Sequence, residues 1–362
     1  MNLQVFIIPS LYLLSILLMS LLLRRLYWVH KYAESIKFVK QYAVLDIDEL
    51  KFSGYVKDFN RKYTGEEYEQ RFLNFKASLR EIARFNAIEG ATVFGLTKFS
   101  DMSKEEFAEK MLMKPSYLSD CLIKHKVCPN DTESNEAHKH TRFGEVPPAN
   151  FDWRDEGFVF PVLEQKRCFG CWAFSIIGVM ESMAAKEGID HQRRSIQELI
   201  DCSTYNQGCN GGNVLRALDF LCQNSKVVVT EDEYPLTLSG EMICKLQENS
   251  KGRRLKEFST QCDVDPELMV SQVATHGPLV AAVNANTWKN YLGGIIRRAC
   301  PNDILNHVVQ IVGYANYGLN DSSYFIIRNS YGEDFGEHGY VKIALQGNVC
   351  GITSQVAMLD VM

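Results

Sequence analysis

Positive charge is not in excess in this chain: 39 Lys+Arg stand against 44 Asp+Glu, a formal net charge of −5. No basic surplus is left to neutralise phosphates, which excludes nucleic acid as a first choice of partner. Proline is scarce, at 10 residues, and 24 glycines in 362 residues are far below a collagen-like content. There is no internal repeat. Apolar residues make up 46% and charged residues 23%, the balance of a globular protein, so disorder throughout and a polytopic membrane protein are both excluded. The length exceeds one domain of ~100–200 residues, so two or three units are expected. Cysteine is what the chain does have: eleven residues. In a reducing compartment they would point to metal or redox chemistry, in a secreted protein to disulfides.

The stretch from Leu3 to Leu23 is apolar apart from Gln4, Pro9 and three serines, and Arg24-Arg25 ends it. It is long enough for a bilayer, which needs ~20 apolar residues. It has no basic residue ahead of it and no Ala-x-Ala cleavage site. Residues 1–23 are read as a secretory signal in preference to a retained anchor, because the cysteine content favours an oxidising lumen. Asn130-Asp131-Thr132 and Asn320-Asp321-Ser322 are glycosylation sequons that fit such a route.

From Ile47 to Asn86 the pattern is helical. Phe52, Tyr55, Val56 and Phe59 share one face, then Tyr68, Phe72, Phe75, Leu79, Ile82 and Phe85 form a second stripe. Thr64 with Glu67 makes a capping box ahead of the second. Between Tyr117 and Thr141 the chain is polar and aperiodic, as in a linker or processing region, and Pro147-Pro148 opens a new unit. From Val146 on there are 18 Lys+Arg against 25 Asp+Glu, whereas the front part is slightly basic, so the two parts attract. Short β-rich runs at Leu279–Val283, Val308–Gly313, Tyr324–Arg328 and Tyr340–Ala344 make the last 217 residues a helical half followed by a sheet half.

The chemistry concentrates around Gln165-Lys166-Arg167-Cys168-Phe169-Gly170-Cys171-Trp172. The residues that follow are apolar on most faces up to Gly188, which marks a buried helix with a glycine C-cap. Cys171 at the helix N-terminus is expected to have a lowered pKa, since the macrodipole favours a thiolate. His307 opens a strand-like run and is the candidate proton partner. Asn329 ends the next run and would accept the second imidazole N–H. Gln165 and the Cys171 N–H would hold an oxyanion. Alone, Cys168 and Cys171 suit a redox pair or half of a zinc site equally well. No second Cys-x2-Cys follows, however, and the βαβ setting of a redox pair is missing.

In order and spacing these residues resemble the papain-like cysteine proteases, whose signature places His and Asn ~130–150 residues after the cysteine; here His307 follows Cys171 by 136 residues and Asn329 by 158. The resemblance extends forward. Glu67, Arg71, Phe75, Ser78, Ile82 and Asn86 match the inhibitory helix of the family's prodomain, with Ser78 for an Asn. Gly95, Thr97, Phe99 and Asp101 match its strand motif, with Thr97 for an Asn.

The resemblance implies an α+β fold with two lobes, a helical left lobe and a β-barrel-like right lobe, behind a helical inhibitory prodomain. It implies a propeptide over 24–145 and a peptidase over 146–362, separated by cleavage near Glu145–Val146. It implies a zymogen of a thiol endopeptidase, working in a lysosome or after secretion, in which acid loosens the prodomain through Asp101. Its partners would be protein and peptide substrates, its own propeptide and cystatin-like inhibitors; the enzyme would be a monomer and need no cofactor. It implies bridges Cys168–Cys209, Cys202–Cys244 and Cys300–Cys350 with Cys171 free, and leaves Cys121, Cys128, Cys222 and Cys262 unassigned. Substrate would be bound by Phe169, Gly211, Gly212, Asn213, Val214, Ala282, Leu305 and Gln355, the last five around an S2 pocket for an apolar side chain. Phe169, where the family has Gly, would narrow the cleft beside the nucleophile, and Gly170 would leave more room. Tyr331 and Phe335 replace two tryptophans, and Tyr331 would shield the His–Asn pair less completely.

Overall fold

The computed structural model describes residues 7–129, 146–223, 226–319 and 322–362; over 7–15 and 40–46 it describes the helix and not the side chains. Asn130, Asn320 and Glu145 lie outside the described residues. The chain divides into two compact units, Met1–Phe72 and Leu73–Met362.

The first unit holds α1 (Ile7–Asp58) and the start of α2 (Glu66–Glu89). Its aromatic stripe packs on itself: the Phe52 ring lies 5.1 Å from Tyr68, 5.4 Å from Phe72 and 6.3 Å from Tyr63. Three glutamates fill the first turn of α2, where the helix dipole favours negative charge. Among the described residues, no helix is long and apolar enough to cross a membrane.

In the second unit, α3 (Lys104–Met111) is capped by the Ser103 hydroxyl, which accepts from the Glu106 N–H. After it come β1 (Lys124–Val127), β2 (Phe151–Asp152), α4 (Cys171–Lys186), α5 (Ile196–Cys202), α6 (Val214–Cys222), β3 (Val227–Val228), β4 (Arg253–Cys262), α7 (Pro266–Thr275), β5 (Leu279–Val283), β6 (Ile295–Ile296), β7 (His307–Ala315), β8 (Tyr324–Arg328), β9 (Tyr340–Ala344) and β10 (Gln355–Val361). The sheet order is β1-β4-β10-β5-β7-β8-β9-β6, with β2 paired to β7 and β3 to β4. The half read as helical thus contributes a ten-residue strand, β4, which pairs with the C-terminal β10. The register is long-range, and its partner lies too far along the chain for a local pattern to reveal.

Alternation along the strands builds two cores. Leu279, Ala281, Val283, Val309 and Ile311 face the core of the sheet lobe. Val280, Ala282, Val308, Ala357 and Leu359 face the other way, into the core of the helical lobe around α4. Helix α4 is buried from Cys171 to Ala184, as its all-round apolar sequence demands. It ends at Lys186, and Gly188 follows at φ +66°, the left-handed conformation that glycine supplies most cheaply. The expected α+β, two-lobe architecture is therefore present.

A buried polar cluster locks α4 to the sheet. Gln310 on β7 donates to the Gly178 carbonyl (3.1 Å) and the Ser182 hydroxyl (3.2 Å), and Arg328 on β8 donates to Gln310 Oε1 at 3.0 Å. A Cβ at position 178 would lie 2.5 Å from Arg328 Nη1, so glycine lets the helix approach this closely. The contact fixes α4, at its middle, against the first half of β7 and the end of β8, and so sets the helix that begins at Cys171 relative to the strand ends where His307 and Asn329 lie.

Candidate active site

Cys171 is the first residue of α4, His307 the first of β7, and Asn329 follows the last residue of β8. β7 and β8 run antiparallel, with Gln310 opposite Arg328, so the entrance of one strand meets the exit of the other and His307 and Asn329 face each other. His307 Nε2 lies 2.7 Å from Asn329 Oδ1, which leaves Nδ1 as the free imidazole nitrogen; it is buried without a hydrogen-bond partner. The imidazole stacks on Tyr331 at 4.9 Å and meets the Trp288 ring edge-on at 5.9 Å. Tyr331 is fully buried, so this smaller aromatic lid closes over the pair.

Gln165 is held from both ends. Its backbone N–H donates to the Ser330 carbonyl at 2.8 Å, and the Ser330 hydroxyl donates to its amide oxygen at 2.6 Å. That orientation turns the amide NH₂ toward the Cys168 carbonyl (3.1 Å) and the Met111 carbonyl (3.3 Å). Ser330 and Trp288 were not picked out from the sequence. Ser330 adjoins Asn329 and was available by position; Trp288 is brought to His307 by a turn that no local pattern marks.

Cys171 is the free thiol and is buried. Burial pushes it up to about 12, and the N–H groups of Val308, Trp172 and Cys171 itself oppose this only in part. Burial likewise holds His307 down to about 4, against the Asn329 hydrogen bond. The helix-dipole argument for a lowered thiol pKa is thus overridden in this state, because enclosure removes the water that would solvate either charge. Under the cover, burial works against the charged form of both groups.

The cover is the chain from Phe85 to Leu118. Phe85, Phe94, Phe99, Phe107 and Leu112 belong to the core of the sheet lobe, whereas Met113 and Leu118 belong to that of the helical lobe. The chain therefore crosses from one lobe to the other at Met111–Met113, where the Met111 carbonyl meets Gln165 and the Met113 N–H donates to the Asn306 carbonyl at 2.9 Å. Phe99 and Phe107 lie edge-on to Tyr331 at 5.7 and 6.2 Å.

The two motif departures touch one enzyme residue. Ser78 Oγ accepts from Lys289 Nζ at 3.0 Å, and Thr97 Oγ1 donates to the Lys289 carbonyl at 2.5 Å. Asp101 is buried. The carboxylate on which enzyme backbone N–H groups converge is Glu89: Arg297, Arg298 and Ala299 donate to it at 2.7–3.1 Å.

Of the residues expected around the S2 pocket, Ala282 lies in the core of the helical lobe with Met113 and Trp172, and Val214 and Leu305, like Phe169, pack against that core. The Gly212 N–H points at Met113 Sδ, 3.5 Å away, and a Cβ there would lie 2.7 Å from the Trp172 indole. Asn213 Nδ2 donates to the Tyr117 carbonyl at 2.8 Å, and Gln355 Nε2 to that of Leu118 at 2.7 Å. Gly211 lies under the Tyr117 ring. A Cβ at Gly170 would sit 3.1 Å from Cys168 Sγ and Ile200 Cδ1. The glycine there relieves a tight wall and does not open extra room.

The three implied bridges are present: Cys168–Cys209, Cys202–Cys244 and Cys300–Cys350. The four unassigned cysteines form two more, Cys121–Cys262 and Cys128–Cys222.

A fold of this kind, a lone thiol at a helix start beside a histidine, and a front segment lying in the cleft together define a cysteine protease in its proform. Residues 147–359 match the papain family cysteine proteases, and residues 52–107 match the cathepsin propeptide inhibitor domain. The chain belongs to the papain family: it is a cysteine-type endopeptidase built as a zymogen with its own inhibitory propeptide. It is similar to cathepsin O of Homo sapiens, at 35% identity over 299 residues, 81% of this chain and 88% of that one. It is also similar to cathepsin O of Mus musculus, at 38% identity over 215 residues, 59% of this chain and 68% of that one. Among solved structures, a recombinant stem bromelain precursor matches with a TM-score of 0.71 at 26% identity, covering 86% of this chain and 98% of that one. Procathepsin L 3 of the Tenebrio molitor larval midgut matches with a TM-score of 0.68 at 26% identity, covering 86% and 99%.

Proposed function

We propose that Cys171, His307, Asn329 and Gln165 carry the reaction once the cover is gone. Exposure to water returns both titrating groups toward their ordinary range, and His307 Nδ1 takes the Cys171 proton to give a thiolate–imidazolium pair. The thiolate attacks a peptide carbonyl, and its oxygen becomes an oxyanion held by the Gln165 NH₂ and the Cys171 N–H. His307 gives its proton to the leaving amine; water, with His307 as base, then hydrolyses the thioester and frees the thiol. Asn329 keeps the imidazole oriented throughout.

The observation that carries this reading is the Met111 carbonyl on Gln165 Nε2. A backbone carbonyl already lies against the donor that an attacked carbonyl would need. Met113, in the apolar core that holds Ala282 and against which Val214 and Leu305 pack, supports a preference for an apolar substrate side chain at S2, and Phe169 against that core supports a small one at the neighbouring position.

Residues 1–23 would direct the chain into the secretory pathway and 24–145 would inhibit the peptidase of 146–362, acting in a lysosome or after secretion. Five disulfides suit such an oxidising route. Acid-processed protein should be labelled at Cys171 by an epoxide thiol inhibitor and should hydrolyse peptides with an apolar S2 residue; Cys171→Ser should do neither. A processed form whose thiol stays unlabelled refutes the assignment.

A further inference from the structure

The two unforeseen bridges join opposite sides of the expected maturation cut. Cys121 and Cys128 precede it; Cys262 ends β4 and Cys222 ends α6, both in the peptidase. The segment between the two front cysteines is built into the enzyme sheet. β1 pairs with β4 over four residues, Lys124 to Val127 opposite Thr260 to Glu257. The pairing continues with the Cys128 N–H on the Lys256 carbonyl at 2.8 Å and the Thr260 hydroxyl on the Leu122 carbonyl at 2.6 Å. Lys124 and Lys126 both reach Asp219 on α6, at 2.6 and 3.3 Å. Without β1, strand β4 would present an unpaired edge over Glu257–Thr260, a liability that proteins ordinarily cover.

We propose that the Tyr117–Cys128 segment is a permanent second chain of the active enzyme, held by Cys121–Cys262 and Cys128–Cys222, and that its Tyr117–Leu118 end walls off the cleft beyond the S2 pocket. The proposal rests on the protease reading above. A single cut near Glu145–Val146 leaves the whole prodomain covalently attached. Clearing the cleft takes a second cut, and exposed residues suited to one lie on both sides of buried Leu118, at Lys114–Ser116 and at Ser119–Asp120. A cut at the first leaves Tyr117 and Leu118 on the retained chain. Their carbonyls stay on Asn213 and Gln355, next to the pocket that Met113 has vacated. Substrate residues further from the scissile bond than that pocket then meet the second chain and gain no binding.

The test is the covalent state of the processed wild-type enzyme after Cys171 has been labelled with an epoxide inhibitor. Intact mass before and after reduction should differ by a peptide containing Cys121 and Cys128, and a non-reduced digest should contain both cross-linked pairs. A labelled enzyme that begins near Val146, with Cys222 and Cys262 alkylatable or joined to each other, overturns the proposal and leaves the protease reading intact. A two-chain species that no epoxide labels refutes the protease reading itself. For the cleft wall, adding two residues ahead of the S2 residue should leave kcat/KM within about twofold in the wild type. The same extension should raise it about tenfold, the equivalent of ~1.4 kcal/mol, in a processed Cys121→Ser/Cys128→Ser enzyme that has shed the segment. Equal gains in the two enzymes overturn the wall, and if the double variant does not fold the wild-type masses decide alone.

Discussion

Glu89 offers a direct test of what holds the cover down. It is the last residue of α2, where a negative charge works against the helix dipole. It is buried, and three consecutive backbone N–H groups, of Arg297, Arg298 and Ala299, donate to its carboxylate at 2.7–3.1 Å. Glu89→Gln keeps the shape, removes the charge and turns an NH₂ toward one or more of those donors. Hydrogen bonds to a charged acceptor contribute ~1.5–3 kcal/mol each, roughly twice neutral ones, and an N–H facing an NH₂ is left unsatisfied. A loss of about 2–3 kcal/mol in the hold on the enzyme follows, which opens the covered state ~30- to 150-fold more often. The rate at which an epoxide labels Cys171 in the unprocessed zymogen at neutral pH reads this opening directly, because a buried thiol is attacked only when uncovered. A labelling rate within threefold of wild type would refute the argument that this carboxylate clamps the cover, provided that the variant melts as the wild type does.

Three further outcomes follow from the site. His307 is held at about 4 under the cover, below the ordinary ~6.5; the covered state is thereby favoured above pH 6.5 and loses that advantage as pH falls toward 4. Hydrogen exchange at the Met113 amide in a Cys171→Ser zymogen should accelerate over that window, and exchange indifferent to pH, after correction for its intrinsic rate, would count against it. Burial raises Glu181 and Glu198 to about 7, so their contribution to stability is full below ~4.5 and is lost as pH rises through 7. In a Cys171→Ala chain, urea unfolding should show roughly 2–5 kcal/mol more stability at pH 5 than at pH 8, with His307 opposing in part, and Glu181→Gln with Glu198→Gln should flatten the slope. Ser330→Ala frees the Gln165 amide to rotate; kcat should fall about tenfold with KM within twofold, less than the ~10²–10³ of removing an oxyanion donor outright, and Ser330→Thr should restore it. An unchanged kcat would remove Ser330 from the positioning of Gln165.

Much of the site was legible because its chemistry sits at the ends of regular elements. Cys171 begins a helix that its apolar sequence makes unmistakable. His307 and Asn329 mark the start of one strand and the end of the next, and antiparallel pairing turns that order into contact. Three of the four β-runs read from residue 279 onward have the observed bounds, and β7 extends the fourth by one residue at its start and two at its end. β4 was not legible, since β1 and β10, which flank it in the sheet, lie far from it in sequence, one before it and one after.

The sequence by itself determined the class of protein. The order and spacing of Gln165, Cys171, His307 and Asn329 behind an amphipathic helix are those of the family that residues 52–107 and 147–359 match. Periodicity along single elements placed them. Tertiary structure alone decided the protonation state, since enclosure under Met111–Met113 sets Cys171 and His307 against the pKa values that helix dipole and hydrogen bond would favour. It alone decided the pairing of the last four cysteines, because residues 141 and 94 positions apart become neighbours only when a front strand joins the far edge of the enzyme sheet. With that pairing, a strand that precedes the expected cut lies in the same sheet as the peptidase strands that follow it.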